Sequence, residues 1–229
     1  MNIAKIGLIA LASSAGLATA ADFVAEFDGI DGGANGAFTI DGSTYNAGHM
    51  KHTYSGPIPT VAVGQFKNPT FLTFCIELQN TSRDPEPFTI QKIGEAPNPT
   101  SSNGGVPYGA ADEAEVHSVV AAAVRLGYIN ADLSLGTAGG AELAAIQGLI
   151  WKVLFDGSTF VSNYAAVDTV IAAIEAERLN DPFARVKGLR AMTNPDAQDQ
   201  LYVVPLPPAA LAGLAMLGGI AGVRVMRRR

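Results

Sequence analysis

Short apolar segments separated by turn-forming residues dominate the first part of the chain. Segments 23–27, 38–40, 61–66, 71–78 and 88–93 carry the alternating or continuous apolar pattern of β-strands. The Gly- and Asp-rich residues 28–36 predict a loop, and Asp41-Gly42 predicts a turn. The segment that contains His49 and His52 is also expected to be a solvated loop. Residues 21–95 are therefore predicted to be mainly β.

The apolar pattern becomes helical after residue 110. Helices are predicted over 112–126, 141–155 and 164–179, within a mainly helical region 111–190. Asp112 or a residue near it is expected to cap the first helix, and Gly127 is expected to end it. A last strand, 200–204, returns to the sheet. This order predicts an α+β fold, namely a β-sandwich or open barrel with a helical insertion.

The first 20 residues have the pattern of a secretory signal peptide. Lys5 precedes a short apolar run, and Ala18-Thr19-Ala20 has the small residues of a cleavage site. Cleavage after Ala20 is therefore predicted. The alternative is a buried N-terminal helix.

An apolar segment followed by arginines lies at the other end. Residues 209–226 are predicted to form a transmembrane helix, which is short for a span of about 20 residues unless Arg224 reaches the interface. The membrane-stop residues are Arg224, Arg227, Arg228 and Arg229, which predict a cytoplasmic C-terminus. An ordinary tail anchor would have the same physical form.

This C-terminal segment resembles the PEP-CTERM class of bacterial sorting signals, in the variant with a Val-Pro-Leu-Pro-Ala core. Val204, Pro205, Leu206 and Pro207 match that core, whereas Pro208 stands where alanine is expected. The resemblance implies that residues 204–229 are a signal processed by an exosortase in a Gram-negative bacterium. It also implies transient anchoring in the inner membrane and delivery to the cell surface or extracellular matrix.

The charge of the body, residues 21–204, argues against some partners. The whole chain has a net charge of −6, with 15 basic and 21 acidic residues. Without Lys5 and the four C-terminal arginines, ten basic residues face all 21 acidic ones, a charge of about −11. Nucleic acid is therefore an unsuitable partner. No cofactor motif is present, and Glu113 and His117 are expected to form a surface ion pair rather than a metal site.

Gln147 occupies an unusual position in the second predicted helix. It lies in an apolar stripe with Leu143, Ile150 and Leu154, and Gly148 follows it. A buried amide without hydrogen-bond partners costs about 1–3 kcal/mol. Attack by a cysteine on its carbonyl carbon would instead expel ammonia and leave a thioester. Gly148 would allow another backbone to approach closely.

Cys75 is the single cysteine of the chain, so an internal disulfide is excluded. Alternation along strand 71–78 places Cys75 on the same face as Glu77, which could accept the thiol proton. The alternatives are an inert, buried cysteine and a hydrogen-bonded, unreactive glutamine.

The two segments resemble the thioester domains of bacterial surface adhesins. Phe74-Cys75-Ile76-Glu77 matches the cysteine motif, and Ile146-Gln147-Gly148-Leu149-Ile150-Trp151 keeps Gln, Ile and Trp of the second motif. Ile146 and Leu149 replace the usual threonine and alanine. The resemblance implies a Cys75–Gln147 thioester, supported by Phe74, Glu77, Gly148 and Trp151, that attaches the protein to an amine-bearing partner without enzymatic turnover. Alternatives are an unreactive structural protein of the exopolysaccharide or biofilm matrix and a hydrolase with unrecognised catalytic residues.

Overall fold

A computed structural model describes residues 23–55, 68–80, 85–98 and 106–204. The strands are β1 (Phe23–Ile40), β2 (Ser43–Tyr54), β3 (Thr70–Cys75), β4 (Glu86–Gln91), β5 (Phe160–Ser162), β6 (Leu189–Asn194) and β7 (Ala197–Val203). The α-helices are α1 (Ala110–Arg125), α2 (Gly140–Leu154) and α3 (Ala165–Asn180), and a short 3-10 helix spans Ile93–Glu95. The α+β class predicted from the sequence is confirmed.

The strands form one seven-stranded sheet in the order β2-β3-β7-β6-β4-β1-β5. Every strand pair is antiparallel. Strand β1 is long enough to pair with β4 at its start and with β2 along most of its length. Strand β1 also pairs with β2, at the other end of this order. Six strands, all except β5, therefore form a closed ring of hydrogen-bonded neighbours.

The three helices lie between β4 and β6 along the chain, with β5 between α2 and α3. Helix α2 packs against β1 and β2 and also against α1 and α3. It is therefore the element that connects the helical layer to the sheet. Its stripe of apolar residues, together with Gln147, is buried.

The β1–β2 hairpin corrects two expectations. Residues 28–36 belong to β1 and His49 and His52 to β2, although loops were expected in both places. The glycines permit the pairing: a Cβ on Gly33 would lie 2.1 Å from the carbonyl oxygen of Ala47. Register shifts along β1 interrupt the apolar alternation, which is why the sequence pattern resembles a loop. The predicted turn at Asp41-Gly42 is confirmed, with positive φ at both residues.

The predicted helices are confirmed to within about two residues at each end, the usual uncertainty of helix boundaries. Gly127 has a φ of 75° just after α1, as expected for a helix end. The N-cap residue is Gly109, near the expected position, and Asp112 itself lies in the first turn of α1 rather than at its cap. The N–H of Gly109 donates to the carbonyl of Gly94, and this bond fixes where α1 begins.

Several predicted segments lie outside the described residues. These are the signal peptide 1–20 with Ala18 and Ala20, the strand 61–66, and the segment 209–226 with its four arginines. Within the described residues, no helix is long and apolar enough to span a membrane.

Candidate functional site

Cys75 and Gln147 meet in the interior, between the end of β3 and the middle of α2. The main-chain N–H of Cys75 donates to Gln147 Oε1 at 2.8 Å. The side-chain Nε2 of Gln147 donates to the carbonyl oxygen of Cys75 at 2.7 Å. Both residues have no solvent exposure. The structure therefore brings together the two residues that the sequence singled out.

The end of a strand pairing explains why these main-chain groups are open to Gln147. Pairing of β3 with β2 extends only to Thr73, opposite Met50. On the other side of β3, Ile76 N–H donates to the carbonyl of Asp199 on β7. Successive residues in an antiparallel ladder point to opposite neighbours, so the N–H and C=O of Cys75 point away from β7. The amide of Gln147 occupies the place that a further residue of β2 would take.

The Cys75 thiol is buried and hydrogen-bonded to the main chain. Its Sγ donates to the carbonyl oxygen of Glu77 at 2.5 Å and accepts from the Glu77 N–H at 3.3 Å. Burial raises the pKa of the thiol well above its usual value, and the charges of Glu77 and Asp199 raise it further. The resting thiol is consequently neutral and a weak nucleophile until a base removes its proton.

Two buried carboxyl groups lie beside this thiol. Glu77 and Asp199 are each 2% exposed. Burial raises the pKa of Glu77 to about 7 and that of Asp199 to about 8, and the charge of Glu77 contributes to the shift of Asp199. Two such groups titrate as a pair, and the pair retains a proton near neutral pH.

Main-chain N–H groups hold the carboxyl groups in place. Glu77 Oε1 accepts from the N–H of Asn80 at 3.1 Å, and Asp199 Oδ1 accepts from the N–H of Asn194 at 2.9 Å. The thiol itself donates to the main-chain oxygen of Glu77 rather than to its carboxylate. A role for this carboxylate as a proton acceptor therefore requires a rotation of the thiol or of the carboxyl group.

Gly148, Trp151 and Phe74 pack around the contact between Cys75 and Gln147. Gly148 faces a ring rather than a backbone, because a Cβ there would lie 2.1 Å from Cζ of Phe38. Trp151 packs edge-on against the same ring, with centroids 6.5 Å apart. Its indole N–H is close enough to Cys75 to lower the thiol pKa, yet it makes no hydrogen bond of normal geometry within the described part of the chain. Phe74 is fully buried against His49, with ring centroids 4.4 Å apart.

Two residues of the site were not found from the sequence. Asp199 lies next to the predicted strand 200–204, but nothing in its neighbourhood indicated burial. The hydroxyl of Tyr108 donates to the carbonyl of Ile76 at 2.5 Å, which anchors the segment after Cys75. The polar run Gln198-Asp199-Gln200 inside a strand is the signal that could have indicated this site, because alternate strand residues face the interior.

The histidines are buried, which corrects the expectations of solvated side chains and a surface ion pair. Burial lowers the pKa of His49, His52 and His117 to about 4. His117 Nδ1 accepts from the N–H of Val186 at 3.1 Å, and its Nε2 lies 4.0 Å from Glu113. The described residues contain no cluster of three or more His, Cys, Asp or Glu side chains able to hold a metal ion.

Val204 is the one member of the predicted sorting motif that the structure describes. Its N–H donates to the carbonyl of Gly188 at 2.9 Å, directly after β7. Pro205, Leu206 and Pro207 lie outside the described residues. Comparisons with protein-family models, characterised proteins and solved structures find no match to this chain.

Proposed function

We propose that Cys75 and Gln147 form an internal thioester by which an exported surface protein becomes covalently attached to an amine-bearing partner. The single observation that supports this most is the pair of hydrogen bonds between the Gln147 carboxamide and the Cys75 main chain. These bonds hold the electrophilic carbon beside the residue that carries the nucleophile. Such positioning is a large part of what an intramolecular reaction needs.

The proposed step conserves atoms and charge. The sulfur of Cys75 bonds to Cδ of Gln147, the Cδ–Nε2 bond breaks, and the thiol proton leaves with the nitrogen as ammonia. Negative charge develops on Oε1 in the tetrahedral intermediate. The N–H of Cys75, 2.8 Å from Oε1, is placed to stabilise that charge. The carbonyl of Cys75, which accepts from Nε2, orients the leaving group.

The carboxyl pair supplies a route for the thiol proton. An ionised Glu77 or Asp199 can take this proton, and the other member, still protonated, can return one to the departing nitrogen. Their raised pKa values, about 7 and about 8, lie in the range that this double role requires. The carboxyl pair therefore acts while the thioester forms. Later attack by an amine leaves an amide on the former Gln147 and frees the thiol.

Burial has a further consequence for reactivity. Cys75 and Gln147 are both inaccessible to solvent, so water would hydrolyse the thioester slowly. A partner amine would reach it only after local opening around α2 and the end of β3. A small dissolved amine can enter through the same opening, whereas a docked partner would hold its amine at the site. Each attachment forms one bond without turnover.

The context of this chemistry is export and sorting. The signal peptide, the core motif at Val204 and the terminal arginines together support release of residues 210–229 by an exosortase after transient anchoring in the inner membrane. Mass spectrometry of protein extracted from the cell surface should show that this segment has been removed. Recovery of the intact tail from mature surface material would exclude this route.

A second candidate is an unreactive structural protein of the extracellular matrix. It is favoured by the observation that the Gln147 amide already has two hydrogen bonds and the thiol is neutral. In that case the amide serves to close the edge of β3. The two candidates differ in whether the bond between Cys75 and Gln147 exists.

Amine uptake tests the proposal. Exported protein incubated with a labelled primary amine should carry the label on Gln147, and Cys75→Ala should abolish it. Gln200 is the matched control, because it is buried directly opposite Cys75 on β7 and should remain unlabelled. Labelling of both glutamines, or of Gln147 in Cys75→Ala, would contradict a thioester.

A further inference from the structure

The described chain ends next to a basic and apolar edge. We propose that this edge faces an anionic phospholipid bilayer while the protein is anchored, and that it fixes the orientation of the body on the membrane. We call it the exit rim and define it as Leu179, Phe183, Arg185, Lys187 and Arg190. The proposal rests on the membrane-anchored state of the proposed function.

The geometry of the chain places the rim at the membrane. Residue 209 begins the predicted membrane segment, so only residues 205–208 separate it from Val204. An extended chain covers at most about 3.6 Å per residue, so Val204 lies within about 18 Å of the bilayer. Val204 is hydrogen-bonded to Gly188, next to Lys187, and Arg190 pairs with Tyr202 on β7. Whatever surrounds Gly188 must therefore be close to the headgroups.

The apolar part of the rim is unusually exposed. Phe183 is 88% exposed and Leu179 82%, the highest values among the large apolar side chains of the described residues. Phe183 is five residues from Gly188 along the chain. A separation of five residues keeps Phe183 within about 18 Å of Gly188. An exposed aromatic side chain and a leucine on this side of the body can enter the interfacial region of a bilayer, which removes them from water.

The exit rim is basic, unlike the rest of the body. The body carries about −11, yet Arg185, Lys187 and Arg190 fall within six residues, and Asp181 is the only acidic residue from 178 to 190. Arg185 is 56% exposed and pairs with Glu113 at 3.5 Å, Lys187 is exposed and Arg190 is half-buried. The rim therefore has three cations against one paired acidic side chain from α1. Anionic headgroups attract such a cluster and repel the acidic remainder. The negative surface potential of the bilayer therefore attracts the rim and repels the rest of the body.

Quenching by brominated lipid tests this orientation. The full chain carrying Phe183→Trp is reconstituted into vesicles of brominated phosphatidylcholine and phosphatidylglycerol, and indole fluorescence is compared with that in unbrominated vesicles. Tyr164→Trp is the matched control: Tyr164 is 47% exposed and precedes α3, which is 16 residues long, so it lies about 24 Å from the rim end. The buried Trp151 contributes equally to both.

Strong quenching of Phe183→Trp with little quenching of Tyr164→Trp is expected. When Phe183→Trp is combined with Arg185→Gln, Lys187→Gln and Arg190→Gln, the quenching should fall to the level seen in vesicles without phosphatidylglycerol. Equal quenching of the two indoles, or none in either, would overturn the proposal. A blue shift of the indole in Phe183→Trp that grows with protein concentration would also overturn it, because a second copy would then cover the rim.

Carbonate extraction of the same vesicles distinguishes the rim proposal from the proposed membrane anchor. Protein that resists extraction while Phe183→Trp stays unquenched would overturn the rim but keep the anchor. Protein that is extracted would overturn the anchored state and the rim with it.

Discussion

Gln147 makes both of its side-chain hydrogen bonds to the main chain of Cys75, one as acceptor and one as donor. A side chain thus completes the hydrogen bonding of a strand whose pairing with β2 ends at Thr73. This single contact explains why an amide lies in an apolar helical stripe. It also holds the amide carbon beside the residue that carries the thiol, so a structural role and a chemical one use the same pair of hydrogen bonds.

Removing the amide without removing its volume should destabilise the fold. In a Cys75→Ser background, which excludes a covalent bond, Gln147→Met should lower the free energy of unfolding by about 1–3 kcal/mol, because the N–H and C=O of residue 75 lose their partners. Urea unfolding measures this. Lys152→Met, at a half-exposed position of α2, is the control and should change the value by less than about 0.5 kcal/mol. If Gln147→Met and Lys152→Met changed the free energy of unfolding equally, the contact between Gln147 and residue 75 would contribute nothing to stability.

Gly148→Ala should be costly despite the higher helix propensity of alanine. The added Cβ would lie 2.1 Å from the ring of Phe38, and overpacking of this kind costs about 1–3 kcal/mol. The double variant Gly148→Ala with Phe38→Leu should be less destabilised than the sum of the two single variants. Additive effects in a double-mutant cycle would mean that Phe38 is not what constrains position 148.

Protonation of buried histidines should weaken the fold in acid. Burial lowers the pKa of His52 from 6.5 to about 4, so the unfolded chain binds more protons and stability falls as pH drops from 6.5 towards 4. Neither ring nitrogen of His52 has a hydrogen-bond partner within the described residues, and the ring is stacked on Phe71. His52→Phe should therefore stabilise the protein at pH 5 more than at pH 8. Equal effects at both pH values would contradict this reading.

The carboxyl pair should weaken the fold in base. The folded pKa of Asp199, about 8, lies above its ordinary value of 3.8. Its contribution to stability is therefore complete below about pH 4 and is lost as pH rises through 8. Asp199→Asn keeps an oxygen acceptor for the Asn194 N–H but cannot ionise. Thermal unfolding from pH 6 to 9 should consequently be less pH-dependent in this variant than in the natural chain, and an unchanged slope would exclude Asp199 as its source.

The parts of the fold that could be predicted are those with local signals. The stripe around Gln147 is complete within one helix, and the three helices carry their own periodicity. The two ends of β1 were predicted as strands, but its middle, residues 28–36, was not, because the glycines there matter only through their contact with Ala47 and Gly48 of β2. His52 appeared to be a loop residue for the same reason: its neighbours Phe71 and Phe88 come from other strands.

Residues of the candidate site could likewise be predicted only where the local sequence is unusual. Cys75 and Gln147 were found because each is locally unusual, a lone cysteine and an amide in an apolar stripe. Asp199 reaches the site only through the pairing of β7 with β3, far along the chain, and only burial gives it a raised pKa. The polar run 198–200 could have indicated a buried polar site, but not that Asp199 lies beside Cys75.

The intact mass of freshly folded protein tests the central claim most directly. A thioester between Cys75 and Gln147 predicts a mass one ammonia below that of the processed sequence. It also predicts no thiol that reacts, after denaturation in mild acid, with 4,4′-dithiodipyridine, a reagent that detects thiols at acidic pH. Cys75→Ala should restore the full mass expected for its own sequence. A natural chain at full mass, with one thiol that appears on unfolding, would contradict the thioester and leave Gln147 as the residue that closes the edge of β3.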